Sequence, residues 1–401
     1  MISKRKQILT TLPFFGRIGE LASLFLVNCI GVITLEVADY GSYKALFSLV
    51  SVVSLVSTFA IPAIFKNLFS DISNFKAEEI RFTAYSITFF ISLFAVLLLF
   101  ILVPLIDIKF GFYVFPIAAF IQILTIFRTT FEAISYGMGN PRRLIPVYYG
   151  STAAIVITSY VFYATGQNSV EVFLLINLSS FLALFIVLIF SCQTSFISCS
   201  GDICKLVIKS ILGYGKYLYA SNLFSLAAFQ ASAFIIMLQY GKETAGIIGF
   251  SLSLLMPFDF LCIYLADISY RRIKRENKIP IRTKWFAFGV VSLSTLPLLA
   301  LTTLTDSFVP EVYKLSCLIV SCACISLPLR VLFQLNQRLI VAREDGKYLL
   351  AVSFFSGVAF LVFLLWGGSG NGFYAFIGAY FIRNFLNYVL TLFYTFDRTN
   401  D

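Results

Sequence analysis

The chain has 401 residues, 59% hydrophobic and 12% charged, about half the charged share of a soluble globular protein. That composition excludes an ordinary water-soluble enzyme and describes an all-α polytopic membrane protein, with 45 phenylalanines to face lipid. The net charge of +10 comes with no histidine at all, which removes imidazole catalysis, histidine metal sites and histidine proton relays.

A basic opening (Lys4, Arg5, Lys6) precedes the first apolar stretch, but no small-residue cleavage site follows, so the sequence predicts a retained first helix. Twelve spans are expected, at about 12–33, 41–64, 82–105, 111–136, 144–164, 172–191, 213–238, 245–267, 285–304, 313–336, 348–366 and 373–395. Each is close to the roughly 20 residues that a bilayer requires. Pro62 and Pro257 are expected to kink the second and eighth spans.

With the N-terminus placed inside, 22 of the 30 Lys and Arg residues fall in the N-terminal arm, the inner loops or the C-terminus, seven of them in 269–284. Lys44, Lys109, Lys242 and Lys314 fall outside, and Arg17, Arg128, Arg330 and Arg383 lie within spans. The positive-inside rule then puts both termini in the cytoplasm. The positive charge is this topology signal and gives no ground for nucleic-acid binding.

Four features recur at an offset of 205 residues: Gly41 and Gly246, Lys66 and Arg271, Arg142 and Lys347, Glu132 and Gln337. Two six-helix repeats are therefore expected, and an even number of spans in each makes them parallel. The expected division is an N-terminal lobe at 1–192, a linker with a short amphipathic helix at 193–212, and a C-terminal lobe at 213–401. The cysteines have no metal-finger spacing, and no Walker loop, Rossmann fingerprint or nucleophile elbow is found, so no cofactor or metal is expected.

The charges inside the spans carry the functional reading. Arg128 lies about 13 Å in from the end of its span, too deep to snorkel easily, with Glu132 one turn on. An arginine in hydrocarbon persists only where it faces protein or water. Arg17 and Glu20 form a second spaced pair near the start of the first span. Arg330 is followed by Gln334 and Gln337, Arg383 by Asn384 and Asn387, and Asp259 sits within the eighth span. A structural ion pair or an interfacial anchor accounts for some of these. The functional alternative is a cationic chamber, because the planar guanidinium fork pairs with phosphate.

The Asp39-Tyr40-Gly41-Ser42-Tyr43 turn, the Gly139-Asn140-Pro141-Arg142-Arg143 turn, and Tyr214-Gly215-Lys216 through Lys242-Glu243-Thr244-Ala245-Gly246 resemble a known family. It is the O-antigen and lipid-linked oligosaccharide flippase family, in the polysaccharide transport branch of the multidrug/oligosaccharidyl-lipid/polysaccharide exporter superfamily. The resemblance implies V-shaped, MATE-like lobes around a central cavity. It also implies alternating access that moves undecaprenyl-pyrophosphate-linked O-antigen or capsule repeat units across the bacterial inner membrane. Membrane lipids and the polysaccharide polymerase and ligase would be partners.

By position, Arg17, Arg128, Arg330 and Arg383 would hold the anionic substrate, with Glu20, Glu132, Asp259, Gln334, Gln337 and Asn387 lining the cavity or coupling ions. The chain departs from the family near Gln230-Ala231-Ser232, where relatives often carry an acid, so ion coupling through that helix is not expected. Two other readings remain: a MATE-type cation-coupled drug exporter, and a membrane-embedded polysaccharide polymerase or acyltransferase. The surplus of buried arginine speaks against the first, and short outer loops without histidine against the second.

Overall fold

Long apolar segments leave the backbone no partner in lipid except itself, so each must close its own hydrogen bonds as a helix. The computed structural model describes residues 2–71, 77–103, 113–138, 140–166, 169–192, 201–299, 310–343, 345–366 and 372–397. Its helices are α1 (Ile2–Thr34), α2 (Val37–Ser57), α3 (Ile61–Asp71), α4 (Ala77–Leu102), α5 (Val114–Gly137), α6 (Ile145–Ala164), α7 (Val170–Ser179), α8 (Leu182–Cys192) and α9 (Gly201–Ser210). They continue as α10 (Lys216–Asn222), the single turn α11 (Ala228–Gln230), α12 (Ser232–Tyr240), α13 (Lys242–Glu276) and α14 (Ile281–Leu299). The last four are α15 (Lys314–Cys324), α16 (Leu327–Ala342), α17 (Gly346–Trp366) and α18 (Gly372–Asp397).

Among the described residues nine helices are long and apolar enough to cross a membrane, and two bent pairs raise the number to eleven. Helix α14 stands where the ninth expected span begins; residues 300–309, which hold the end of that span, lie outside the described residues, as do Gly139 and Lys109. The protein is therefore an all-helical, multi-pass membrane protein with the expected architecture.

The repeat is visible in the element boundaries. Helices α2 and α3 together cover 37–71, and α13 covers 242–276, an offset of 205 at both ends; α5 and α16 end 205 residues apart as well. The copies differ in how the second span bends. Phe59 and Ala60 take positive φ values of 47° and 57° and separate α2 from α3, so the break falls before Pro62 rather than on it. Helix α13 runs as one helix through Pro257.

Two further breaks were not forecast, although Pro328 stands in the first turn after the second. Lys205–Gln230 meets Ser232–Tyr240 at 48°, and Glu311–Cys324 meets Leu327–Ala342 at 51°. The first of these arms also contains a kink at Gly213, where ψ is −115°, and a wide π turn at Leu223–Ala227.

The chain groups into two compact units. Unit 1 comprises Met1–Leu35 and Leu49–Lys216, and unit 2 comprises Glu36–Ser48 and Tyr217–Asp401. In unit 1, α1 packs on α6, α5 packs on α3 and α4, and α6 packs on α7 and α8. Ile61, Phe65, Phe69, Ala84 and Ile134 form an apolar cluster that also receives Val207 of α9. The neighbours of Val207 on that helix, Leu206, Ile208 and Lys209, are exposed.

In unit 2, α16 is the hub, packed by α13, α14 and α18. The first half of α2 belongs here because Gly41 crosses α13 without side-chain separation: a Cβ on Gly41 would overlap the Lys242 carbonyl oxygen. Gly246, the repeat counterpart of Gly41, faces it in return, and a Cβ there would stand 3.2 Å from the Gly41 nitrogen. Lys44 lies against its counterpart Gly249 and donates to Ser253 Oγ at 2.7 Å.

Candidate functional site

Among the described residues each unit buries a cluster of charged side chains within its apolar helices. In unit 1 the centre is Glu20 on α1, fully buried. Arg128 of α5 grips it with both terminal nitrogens, Nη1 to Oε1 and Nη2 to Oε2, each at 2.5 Å. This is the paired fork geometry that makes arginine–carboxylate contacts strong. Ser151 of α6 donates to Oε1 at 2.6 Å, and Arg17 Nη1 donates to Oε2 at 2.7 Å.

Glu132 completes the set, taking Arg128 Nε at 3.0 Å and lying 3.7 Å from Arg17 Nη1. The Tyr148 ring lies 5.3 Å from the Arg17 guanidinium and 5.6 Å from that of Arg128, within cation–π range. Two arginines thus meet two glutamates. The quartet is neutral, with Glu20 and Arg128 on its dry side and Arg17 and Glu132 at its partly exposed edge.

Unit 2 is built differently. Asp259 of α13 pairs with Arg330 Nε of α16, and the Tyr380 hydroxyl donates to Asp259 Oδ1 at 3.3 Å. Arg330 Nη1 reaches Asn384 Oδ1 at 3.4 Å, and Asn384 in turn donates to Ser326 Oγ at 2.9 Å. That hydroxyl sits at the 51° break, so the bend delivers a polar group into the cluster.

Arg383 of α18 takes no part in this pairing. It is 2% exposed, and its Nη2 donates to the Ser225 carbonyl at 3.0 Å. A π turn shifts the i→i−4 ladder, and Ser225 lies in the Leu223–Ala227 turn, where its carbonyl can accept from a side chain. The same turn is pressed onto α17 at Gly357, where a Cβ would overlap the Phe224 carbonyl oxygen. The guanidinium lies 4.5 Å from the Phe229 ring centroid and 5.9 Å from that of Phe360.

Among the described residues no protein group meets Nε or Nη1 of Arg383, nor either amide atom of Asn387 one turn on, although both residues are buried. Nor does any carboxylate among them pair with Arg383, so Asp259 balances Arg330 alone and the cluster carries a surplus positive charge.

All four arginines expected to matter are thus clustered, two in each unit. Glu20, Glu132 and Asp259 are the counter-ions of Arg17, Arg128 and Arg330. Asn387 stands one turn after Arg383 and Gln334, also buried, one turn after Arg330, with Gln337 half-buried further along α16. Tyr148, Ser151, Ser326, Phe229 and Tyr380 were not singled out by sequence reasoning. Each is a common residue type in an apolar helix, and only the fold brings it to a charge.

No protein-family model matches the chain, and no curated protein matches it. Solved structures do. A structure described as lipid II flippase MurJ in an inward closed conformation superimposes with a TM-score of 0.66 at 14% identity, over 96% of this chain and 87% of that one. An inward-facing multidrug resistance MATE family transporter of the MOP superfamily gives 0.65 at 11% identity, over 95% and 94%. The MATE multidrug transporter DinF-BH gives 0.63 at 14% identity, over 98% and 96%. The chain shares the fold of these proteins.

Proposed function

We propose that the protein is a flippase that carries an oligosaccharide linked through pyrophosphate to undecaprenol, such as an O-antigen or capsule repeat unit, between the leaflets of the bacterial inner membrane. The observation that carries this reading is Arg383, a buried arginine that no carboxylate matches among the described residues. A desolvated cation held without a counter-ion costs several kcal/mol, and a site that retains one favours an anionic ligand. Pyrophosphate matches the guanidinium fork in charge and geometry. The fold is compatible, since a lipid II flippase shares it.

In this reading the sugar and phosphates cross by alternating access while the polyprenyl tail stays in lipid. Both termini face the cytoplasm, as the loop charges indicate. A polymerase and a ligase would act on the product. The likeness to MATE transporters supports a drug exporter on fold alone. Chemistry favours the flippase: Glu20, Glu132 and Asp259 are each engaged by an arginine, which leaves none of these three to take up a cationic drug.

The deciding measurement is the undecaprenyl-linked glycan pool in a strain lacking the gene. Repeat units accumulating on the inner leaflet, with loss of surface polymer, are expected. Unchanged glycans together with retention of cationic drugs would overturn the reading in favour of the exporter.

A further inference from the structure

Apart from its charge cluster, unit 2 holds a pocket of about 330 Å³ between α14, α16 and α18. Its walls include Trp285, Phe288, Leu332 and Leu392, and Lys284 stands among them near the start of α14. The polar group farther in, Asn336, is taken: its Nδ2 donates to Thr391 Oγ1 at 3.2 Å. The pocket therefore offers one cation over an apolar cavity.

Lys284 is half-buried, and among the described residues no carboxylate lies within ion-pair distance of it. The junction of the two helices adds exposed Arg272, Lys274 and Arg275 at the end of α13, Lys278 in the turn and Arg282 at the start of α14, against which Glu276 holds Arg272 at 2.8 Å. Trp285 is 67% exposed. An indole of that kind settles at the head-group level of a bilayer, which fixes the depth of the pocket mouth.

An occupant must combine an apolar chain with an anionic head at that depth. We infer that the pocket binds an anionic phospholipid of the leaflet met by the 272–284 junction, one acyl chain between α14, α16 and α18 and the phosphodiester on Lys284. A basic pocket between membrane helices recognises anionic head groups in this way. The surrounding cations disfavour zwitterionic lipids, whose terminal ammonium would meet them. The site is independent of the transported substrate, since it shares no residue with either charge cluster.

The chain has two tryptophans, Trp285 and Trp366, and Trp366 is 86% exposed, so the W366F protein keeps its fold and reports from Trp285 alone. In phosphatidylcholine nanodiscs, phosphatidylglycerol with brominated acyl chains should quench Trp285 at about a fivefold lower mole fraction than brominated phosphatidylcholine, the preference expected of one lysine near an anionic surface. K284Q in the W366F background should narrow that gap, leaving only the anionic preference that the exposed cations of 272–282 supply. Equal quenching by both lipids before that substitution, or a preference undiminished by it, would overturn the proposal. So would displacement of the brominated phosphatidylglycerol by an equimolar amount of undecaprenyl phosphate, which would assign the pocket to a polyprenyl chain. None of these readouts depends on transport, so their failure leaves the flippase reading standing and its failure leaves them standing.

Discussion

Glu20 shows what a single residue does in this membrane interior. It is fully buried and accepts four hydrogen bonds, two from Arg128 and one each from Arg17 and Ser151. Removing one member of a buried ion pair leaves the other uncompensated, at a cost of about 3–5 kcal/mol. Glu20→Gln keeps the shape and removes the charge, so it should lower unfolding stability in detergent by that amount. Arg17→Gln, at the partly exposed edge, should cost less because solvent screens what remains. Equal thermal midpoints for wild type and Glu20→Gln would refute the central place of this carboxylate.

Half of the quartet was legible in the sequence. Arg17 with Glu20, and Arg128 with Glu132, sit three and four residues apart, and helix geometry alone pairs them. The bond between Glu20 and Arg128 was not legible, because 108 residues separate them and only the packing of α1, α5 and α6 brings them together.

Among the elements, the crossing of α2 on α13 brings two backbones into contact. Gly41 and Gly246 meet backbone to backbone, and a methyl group on Gly41 would collide with the Lys242 carbonyl. A carbonyl cannot swing aside as a side chain can, so Gly41→Ala should destabilise the protein by about 1–3 kcal/mol or more through overpacking. Gly289 in α14 is the control, since a Cβ there meets nothing within 4 Å. Gly289→Ala should stabilise by up to about 1 kcal/mol through helix propensity. Thermal melts of the two variants should move in opposite directions, and a Gly41→Ala midpoint at or above that of wild type would show that the crossing yields.

The sequence carried the many-span architecture and the offset of 205, because apolar length and loop charge are local signals. It did not carry the breaks. The 51° bend falls just before Pro328 in the first turn of α16, a proline that was not read as a break, while the kink at Gly213 and the wide turn at 223–227 contain no proline to announce them. Nor did it place the first half of α2 with unit 2, since that depends on two glycines 205 residues apart touching.

At the scale of the whole molecule the two units differ in charge balance, and this difference separates stability from function. The unit 1 quartet is neutral and reads as a clamp. Unit 2 sets two buried arginines against one aspartate, and an unmatched buried charge opposes folding. Such a residue is retained where function requires it, the usual trade between activity and stability. Arg383→Gln keeps a donor for the Ser225 carbonyl while removing the charge, so it should leave the thermal midpoint unchanged or raise it. Under the proposed function it should also abolish delivery of lipid-linked glycan to the outer leaflet. Arg383→Lys restores the charge without the planar fork, and partial transport is expected from it. A clamp residue behaves otherwise, since Glu20→Gln loses stability first and transport only as a consequence. If Arg383→Gln instead unfolds the protein as readily as Glu20→Gln does, then Arg383 is a structural strut between the Leu223–Ala227 turn and α18. If it is stable and transports normally, its surplus charge serves no anionic substrate.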